Sequence, residues 1–437
     1  MTILYNSKIS NINSILESDP GIKLNAEFWG NEHIYEKSSV PLKIFETPLG
    51  SINLLYGPRQ IGKTSSLKLH LCKSPQYQTR IYIDCSTVLH RKELADQLRA
   101  QIEGPSLVIL DEVQSVDEWP LAIRALYSEG VLKESALWCT GSEARHVLEG
   151  GEKLPGRKGA GKEVFARPWN FREFVEFFFP ELAPAQKTVQ LQHQTQAWLD
   201  SLPLTLEPAW KAYLECGGVP KAACTWKKNN GKISDEVFKT YQDWILGSWN
   251  SSRIPLHSQN ALAERIIANL NSRTSFERLR KNTDIGSVNT VHQLLNIQED
   301  RWALQWVRRF DAQTQHWMNA KQKKLYPLDP FIARVWQSIS LGLRMNIEAG
   351  LKPLPLDETG FQAQCFRYET ERELAFLYSE KTQSEVDFYF SKIAFELKSN
   401  GSPTAKQKQL LGLAPQAFAV RRESLPWIAY YLGEISR

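Results

Sequence analysis

The sequence predicts a multidomain α/β protein on three observations. A short apolar strand, Ile52 to Tyr56, runs into the loop Gly57-Pro58-Arg59-Gln60-Ile61-Gly62-Lys63-Thr64 and then into a helix. A second apolar strand, Leu107 to Leu110, ends on the acid pair Asp111-Glu112. Far downstream, Ser384 to Asn400 alternates apolar and polar residues on two arms, the signature of a hairpin with one apolar face.

The 437 residues leave room for several domains, and 42% hydrophobic with 23% charged residues is a globular rather than a disordered composition. The six cysteines form no CxxC pair and the eight histidines no HxxxH, so the sequence points to reduced thiols in a cytoplasm and no structural zinc. Residues 1–32 lack a basic start followed by an apolar core, and no signal peptide is expected. No apolar run approaches the ~18 residues of a membrane span, so no membrane partner is expected. The formal charge of +5 is unevenly placed: from His257 to Lys324 there are 11 Lys/Arg against 6 Asp/Glu. A local basic zone suggests a polyanion partner, with a solvated face as the alternative.

The first element to justify is the loop. Strand, GxxxxGK[ST], helix is the order a phosphate cradle needs, because two glycines let backbone N–H groups curl around phosphate oxygens at a helix N-terminus. Gly57, Pro58, Arg59, Gln60, Ile61, Gly62, Lys63, Thr64 and Ser65 are the expected nucleotide-binding residues. Lys63 is expected to reach the β- and γ-phosphates and Thr64 to ligate Mg²⁺. Asp111, at the end of its strand, is expected to hold the same Mg²⁺ through water, and Glu112 to orient and deprotonate the attacking water. Ile81 to Asp84 and Ala136 to Thr140 supply further strands, and a strand intervening between the phosphate loop and the acidic strand indicates the ATPase branch of these folds. Thr140 or Ser142 is a candidate sensor of the γ-phosphate, or else a turn residue. Arg157 is the candidate arginine finger, with Arg145 as its rival.

The stretches "GPRQIGKT", "YIDCS", "LVILDEVQSVDEWP", "CTGSEA", "LPGR", "ARPWNFREF" and "YLECGGVPKA" resemble the AAA-type ATPases of bacteria and archaea that end in a restriction-endonuclease-like domain. The likeness departs at Ser65-Ser66, where that family more often has a Thr and an apolar residue. The resemblance implies ATP and Mg²⁺ as cofactors and a P-loop AAA-type ATPase core, followed by a helical lid and an α/β restriction-endonuclease-like C-terminal domain.

The middle of the chain reads as helical from Phe171 to Trp249, the expected lid over the nucleotide, with an ordinary helical core as the competing reading. Three helices near 262–270, 275–281 and 287–297, followed by two strands near 302–310 and 324–328, make a winged helix. Asn289, Thr290, His292 and Gln293 then line the exposed face of its recognition helix. Arg301, Arg308, Arg309, Lys321, Lys323 and Lys324 decorate the wing and are expected to meet phosphates. Winged helices also mediate protein contacts, and that alternative stays open.

In the tail, a hairpin centred on Ser391-Lys392 sets Asp387 opposite Glu396 and Glu385 opposite Lys398. Two opposed carboxylates repel unless a cation lies between them. A divalent metal, Mg²⁺ or Mn²⁺, held by Asp387 and Glu396 with Lys398 beside it, is the PD-(D/E)xK nuclease geometry. Glu369, Glu371 and Glu373 compete for the upstream helical ligand, and an exposed ion-pair cluster is the plain alternative. The expected layout is therefore an ATPase core (1–170), a lid (171–256), a winged-helix module (257–330) and a nuclease-like domain (331–437). The expected function is an Mg²⁺-dependent ATPase coupled to DNA binding, with metal-dependent cleavage by the tail. The alternative is an ATP-controlled switch that binds DNA or protein through an inactive nuclease-like domain. A homo-oligomer is compatible with either.

Overall fold

A computed structural model describes residues 18–29, 40–142, 147, 150–152, 160–186, 188–250, 254–318, 322–365, 374–398 and 401–435. The chain divides into two compact units, Met1–Arg167 and Pro168–Arg437. Among the described residues no helix is long and apolar enough to cross a membrane.

The first unit is built on a parallel sheet of β1 (Ser51–Tyr56), β2 (Thr79–Asp84), β3 (Ser106–Asp111), β4 (Ser135–Gly141) and β5 (Glu163–Phe165), in the order β2-β3-β4-β1-β5. β1, β3 and β4 are buried at every position, as unbroken apolar strands covered on both faces should be. The strand that separates the phosphate loop from the acid pair in space is β4. β2, which separates them in sequence, lies at the sheet edge beyond β3. Helix α1 (Pro20–Trp29) is capped by Asp19, whose Oδ1 accepts the Gly21 and Ile22 amides at 3.0 Å each. Helix α2 (Lys63–Cys72) leaves the phosphate loop. Ser65 and Ser66 both serve this N-terminal region. The Ser65 hydroxyl donates to Asp19 Oδ1 at 2.7 Å, and Ser66 Oγ accepts the Val40 amide at 3.3 Å.

The second unit holds one eight-stranded mixed sheet. Its strands are β6 (Arg273–Thr274), β7 (Leu304–Asp311), β8 (His316–Trp317), β9 (Lys323–Pro327), β10 (Ala375–Ser379), β11 (Ser384–Phe390), β12 (Ile393–Lys398) and β13 (Gln416–Arg421). The order is β13-β12-β11-β10-β7-β9-β6, with β8 paired to β7. The three helices expected before the ribbon are present: α3 (Leu256–Ile267), α4 (Phe276–Arg280) and α5 (Val288–Asp300), the last two capped by Ser275 and Ser287. On α5, Val291, Leu294 and Leu295 are buried while Asn289, His292 and Gln293 are exposed. The ribbon β7–β9 is not a free wing. β7 pairs with β9 on one edge and with β10, in parallel, on the other, so the sheet runs unbroken across residue 330. An eight-residue strand with an open edge is a hazard, and β10 closes it.

The Gly-Gly-Val-Pro segment at 217–220 lies in this second unit, between α6 (Glu207–Cys216) and α7 (Pro220–Lys228). Asp329 caps α8 (Pro330–Ser340) through Ile332 N–H at 2.9 Å, and with Oδ2 accepts the Gly218 and Val219 amides at 2.8 and 3.2 Å. A Cβ at Gly218 would lie 1.8 Å from Trp169 O, so no other residue fits there. One buried carboxylate thus ties a helix start to a glycine turn. Replacing it by alanine removes a cap and orphans two buried N–H groups, a loss of about 3 kcal/mol. Urea unfolding of Asp329→Ala is expected to show that loss as a lower midpoint with an unchanged slope.

Candidate functional site

In the first unit the phosphate loop starts where β1 ends. Gly57 adopts φ +150°, and a Cβ there would lie 2.1 Å from Ala166 O; Gly62, before α2, adopts φ +89°. Both positions need glycine, one for space and one for a left-handed turn. Lys63 is 5% exposed, and its Nζ donates to Gly57 O at 2.8 Å and Pro58 O at 2.6 Å. Burial pulls its pKa down to about 8, partly opposed by Glu112 and Asp111. These carbonyl contacts satisfy the ammonium within the loop itself.

The acid pair lies against the loop. Thr64 Oγ1 donates to Asp111 Oδ2 at 2.7 Å, and Tyr82 OH donates to the same oxygen at 2.7 Å. Burial raises the Asp111 pKa, and the Tyr82 and Thr64 hydrogen bonds pull it back. Glu112 takes a left-handed conformation (φ +51°), which turns its side chain off the strand. Its Oε2 accepts from Ser142 Oγ at 3.1 Å and from the Gln114 amide, and Arg59 Nε donates to Ser142 Oγ at 3.2 Å. Of the two sensor candidates, Ser142 therefore reaches the acid pair. Thr140 is fully buried in β4 and its hydroxyl has no partner. The Ser65 hydroxyl is engaged by Asp19, which leaves that residue's backbone amide as its contribution to the loop. Arg157 and Arg145 lie outside the described residues. Tyr82 and Gln114 join the acids without a signal in the sequence: "YIDCS" and "DEVQ" read as a strand and an acid pair, and nothing in their spacing shows that these two side chains turn onto Asp111 and Glu112.

In the second unit the hairpin register is the one the alternation predicts. Phe388 faces Phe395, Tyr389 faces Ala394 and Phe390 faces Ile393. Val386, Phe388 and Phe390 are buried. The charged face differs from expectation. Lys324, expected on a wing among phosphates, is fully buried, and its Nζ lies 2.7 Å from Glu385, 3.1 Å from Asp387 and 3.7 Å from Glu358. Burial opposes its charge, yet Tyr326 and the carboxylates of Asp387, Glu358 and Glu385 hold the ammonium well above the usual lysine range. Glu385 does not pair with Lys398. Its second oxygen takes Arg273 Nε at 2.8 Å, and Lys398 instead pairs with Glu396 at 2.7 Å. Asp387 Oδ2 accepts the Leu397 amide at 2.9 Å. Glu396 Oε2 accepts the Asp387 amide at 3.3 Å, and its Oε1 accepts from Gln407 as well as Lys398. Burial raises the pKa of both Glu358 and Glu396.

Glu369, Glu371 and Glu373 lie outside the described residues. Among the described residues the helical glutamate that faces this cluster is Glu358, on helix α9 (Asp357–Cys365), with Oε2 2.8 Å from Tyr326 OH. Among the described residues no group of three or more His, Cys, Asp or Glu is disposed to hold a metal ion.

A family model described as an AAA domain matches residues 50–175. Among curated proteins no relative matches the chain. Among solved structures, the Holliday junction branch migration motor RuvB of Thermotoga maritima is 14% identical at a TM-score of 0.33, over 64% of this chain and 90% of that one. Cdc6p from Pyrobaculum aerophilum is 12% identical at 0.26, over 80% and 98%. C. elegans PCH-2 is 20% identical at 0.25, over 48% and 63%. The family match takes in β1, the phosphate loop, Asp111 and Glu112, and with the parallel sheet it makes this part of the chain an AAA-type P-loop ATPase core.

Proposed function

We propose that the chain is an Mg²⁺-dependent ATPase whose second unit engages DNA. The observation that carries the first half is the hydrogen bond between Thr64 and Asp111, with Lys63 and Glu112 on either side of it. A hydroxyl and a carboxylate from neighbouring elements suit an octahedral Mg²⁺ that keeps most of its waters. When bound, Mg²⁺ supplies positive charge to the β- and γ-phosphates. Lys63 exchanges the Gly57 and Pro58 carbonyls for phosphate oxygens. Tyr82 keeps the Asp111 carboxylate in orientation. Glu112 accepts the proton of the attacking water, and Ser142 and Gln114 fix its carboxylate in place.

Three outcomes test this reading. Lys63→Ala is expected to abolish binding of a fluorescent ATP analogue; unchanged turnover in that variant contradicts the assignment. Glu112→Gln keeps the shape and loses the base, so binding persists while turnover falls by about 10²–10⁴. The Lys63 ammonium titrates near 8 in the free loop. A neighbouring triphosphate favours its charged form, so binding takes up a proton above that pH. ATP affinity is therefore expected to be about tenfold weaker at pH 9 than at pH 7, and a flat profile refutes the role.

DNA engagement is supported by the exposed Asn289, His292 and Gln293 on α5 and by the exposed Arg278, Arg280 and Lys281 on and after α4. These are phosphate-reaching and base-edge-reaching side chains on a helix–turn–helix pair. Replacing Arg280 and Lys281 together by alanine is expected to weaken duplex binding at all sequences and to lower the salt slope by about 2. No mobility shift with wild-type protein at low salt rejects this half of the reading. The second reading, an ATP-controlled binding switch without cleavage, is favoured by the lysine seated among the C-terminal carboxylates.

A further inference from the structure

We propose that the Lys324 ammonium, seated among Glu358, Glu385 and Asp387, occupies the cation position beside Asp387, so that this sheet is held together by an internal positive charge and does not cleave nucleic acid. The inference concerns the second unit alone and is independent of the ATPase reading.

The placement follows from the strand pairing. β9 lies between β6 and β7, opposing Lys324 to Arg273 on one side and to Val307 on the other. Lys324 is delivered to Glu385 and Asp387 of β11 and to Glu358 of α9. An ammonium has three donors and no acceptor. At 0% exposure it would cost several kcal/mol if its neighbours were neutral. The three surrounding carboxylates make the burial tenable, and one of them, Asp387, is a residue to which the resemblance assigns a metal.

Among the described residues the donor set fails the requirements of a divalent ion. Such an ion needs carboxylate oxygens converging on one point at about 2.0–2.2 Å. Asp387 Oδ1 already faces Lys324 Nζ at 3.1 Å and Oδ2 faces Leu397 N–H at 2.9 Å. Glu396 Oε1 is taken by Lys398 and Gln407, and Oε2 by the Asp387 amide. A metal on Asp387 Oδ1 would displace an ammonium that has no exposed surface, or lie against it as a like charge. The charges agree. Among the described residues Glu358, Glu385, Asp387 and Glu396 face Lys324, Lys398 and Arg273, at most a single negative excess when every carboxylate is ionised. Removing Lys324 would raise the excess to two and open the space where a divalent ion fits.

The test uses the nucleotide-free full-length chain and Mn²⁺. Calorimetric titration and thermal unfolding with millimolar Mn²⁺ are compared for wild type, Asp387→Asn, Lys324→Met and the double variant, with supercoiled plasmid as the cleavage substrate. Wild type and Asp387→Asn are expected to titrate alike and to leave the plasmid intact. Lys324→Met is expected to melt below wild type without metal and to gain an Mn²⁺-dependent rise in Tm, lost again in the double variant. An equivalent of Mn²⁺ bound by wild type and lost in Asp387→Asn overturns the proposal. So does nicking by wild type that Asp387→Asn abolishes, or a folded Lys324→Met that melts like wild type and ignores Mn²⁺. If Lys324→Met does not fold, the wild-type and Asp387→Asn pair decides alone.

Discussion

An ionised side chain taken out of water costs several kcal/mol unless its counter-charge goes with it. In residues 168–437 that constraint fixes how the sheet is assembled. Lys324 is charged only because Glu385, Asp387 and Glu358 surround it, and those four side chains come from β9, β11 and α9. β9 therefore cannot swing away as a wing without stranding a lysine among apolar residues and leaving carboxylates facing one another. The continuity of the sheet from β9 through β7 and β10 to β11 is the backbone counterpart of the same bond.

The first unit applies the constraint to chemistry. Lys63 and Asp111 are nearly as buried as Lys324, but their partners are exchangeable. Lys63 rests on two loop carbonyls and Asp111 on two hydroxyls, none of them an opposite charge. Neutral partners hold an ion less firmly than a carboxylate does, which under the proposed function leaves both groups free to exchange them for phosphate and metal. The lysine of the second unit has ionic partners and stays where it is. Burial alone does not separate a reactive charge from a structural one; the identity of the partner does.

The phosphate loop and the acid pair were legible because each is local. Gly57 and Gly62 are needed at conformations and clearances that only glycine meets. Lys63-Thr64 and Asp111-Glu112 sit at fixed offsets from those turns and strand ends. The hairpin register was legible for the same reason, since a short loop and a period of two leave one pairing that buries Val386, Phe388 and Phe390 together. The sequence leaves Ser142 and Thr140 as alternatives, because choosing between them requires knowing whether a side chain within β4 or one just after it reaches Glu112.

Each segment carries its own chemistry in its residues: a glycine-framed loop before a helix, an acid pair at a strand end, a hairpin with one charged face and a basic stretch before it. Tertiary structure alone decided which charges meet. Lys324 sits 63 positions from Asp387, within the basic stretch, and Glu358 lies upstream of Glu369, Glu371 and Glu373. Local backbone geometry is written within a few residues, so turns, caps and registers can be read from them. A long-range ion pair depends on which strand lies beside which, and β7 pairing with β10 is set by the packing of the whole unit rather than by any one segment.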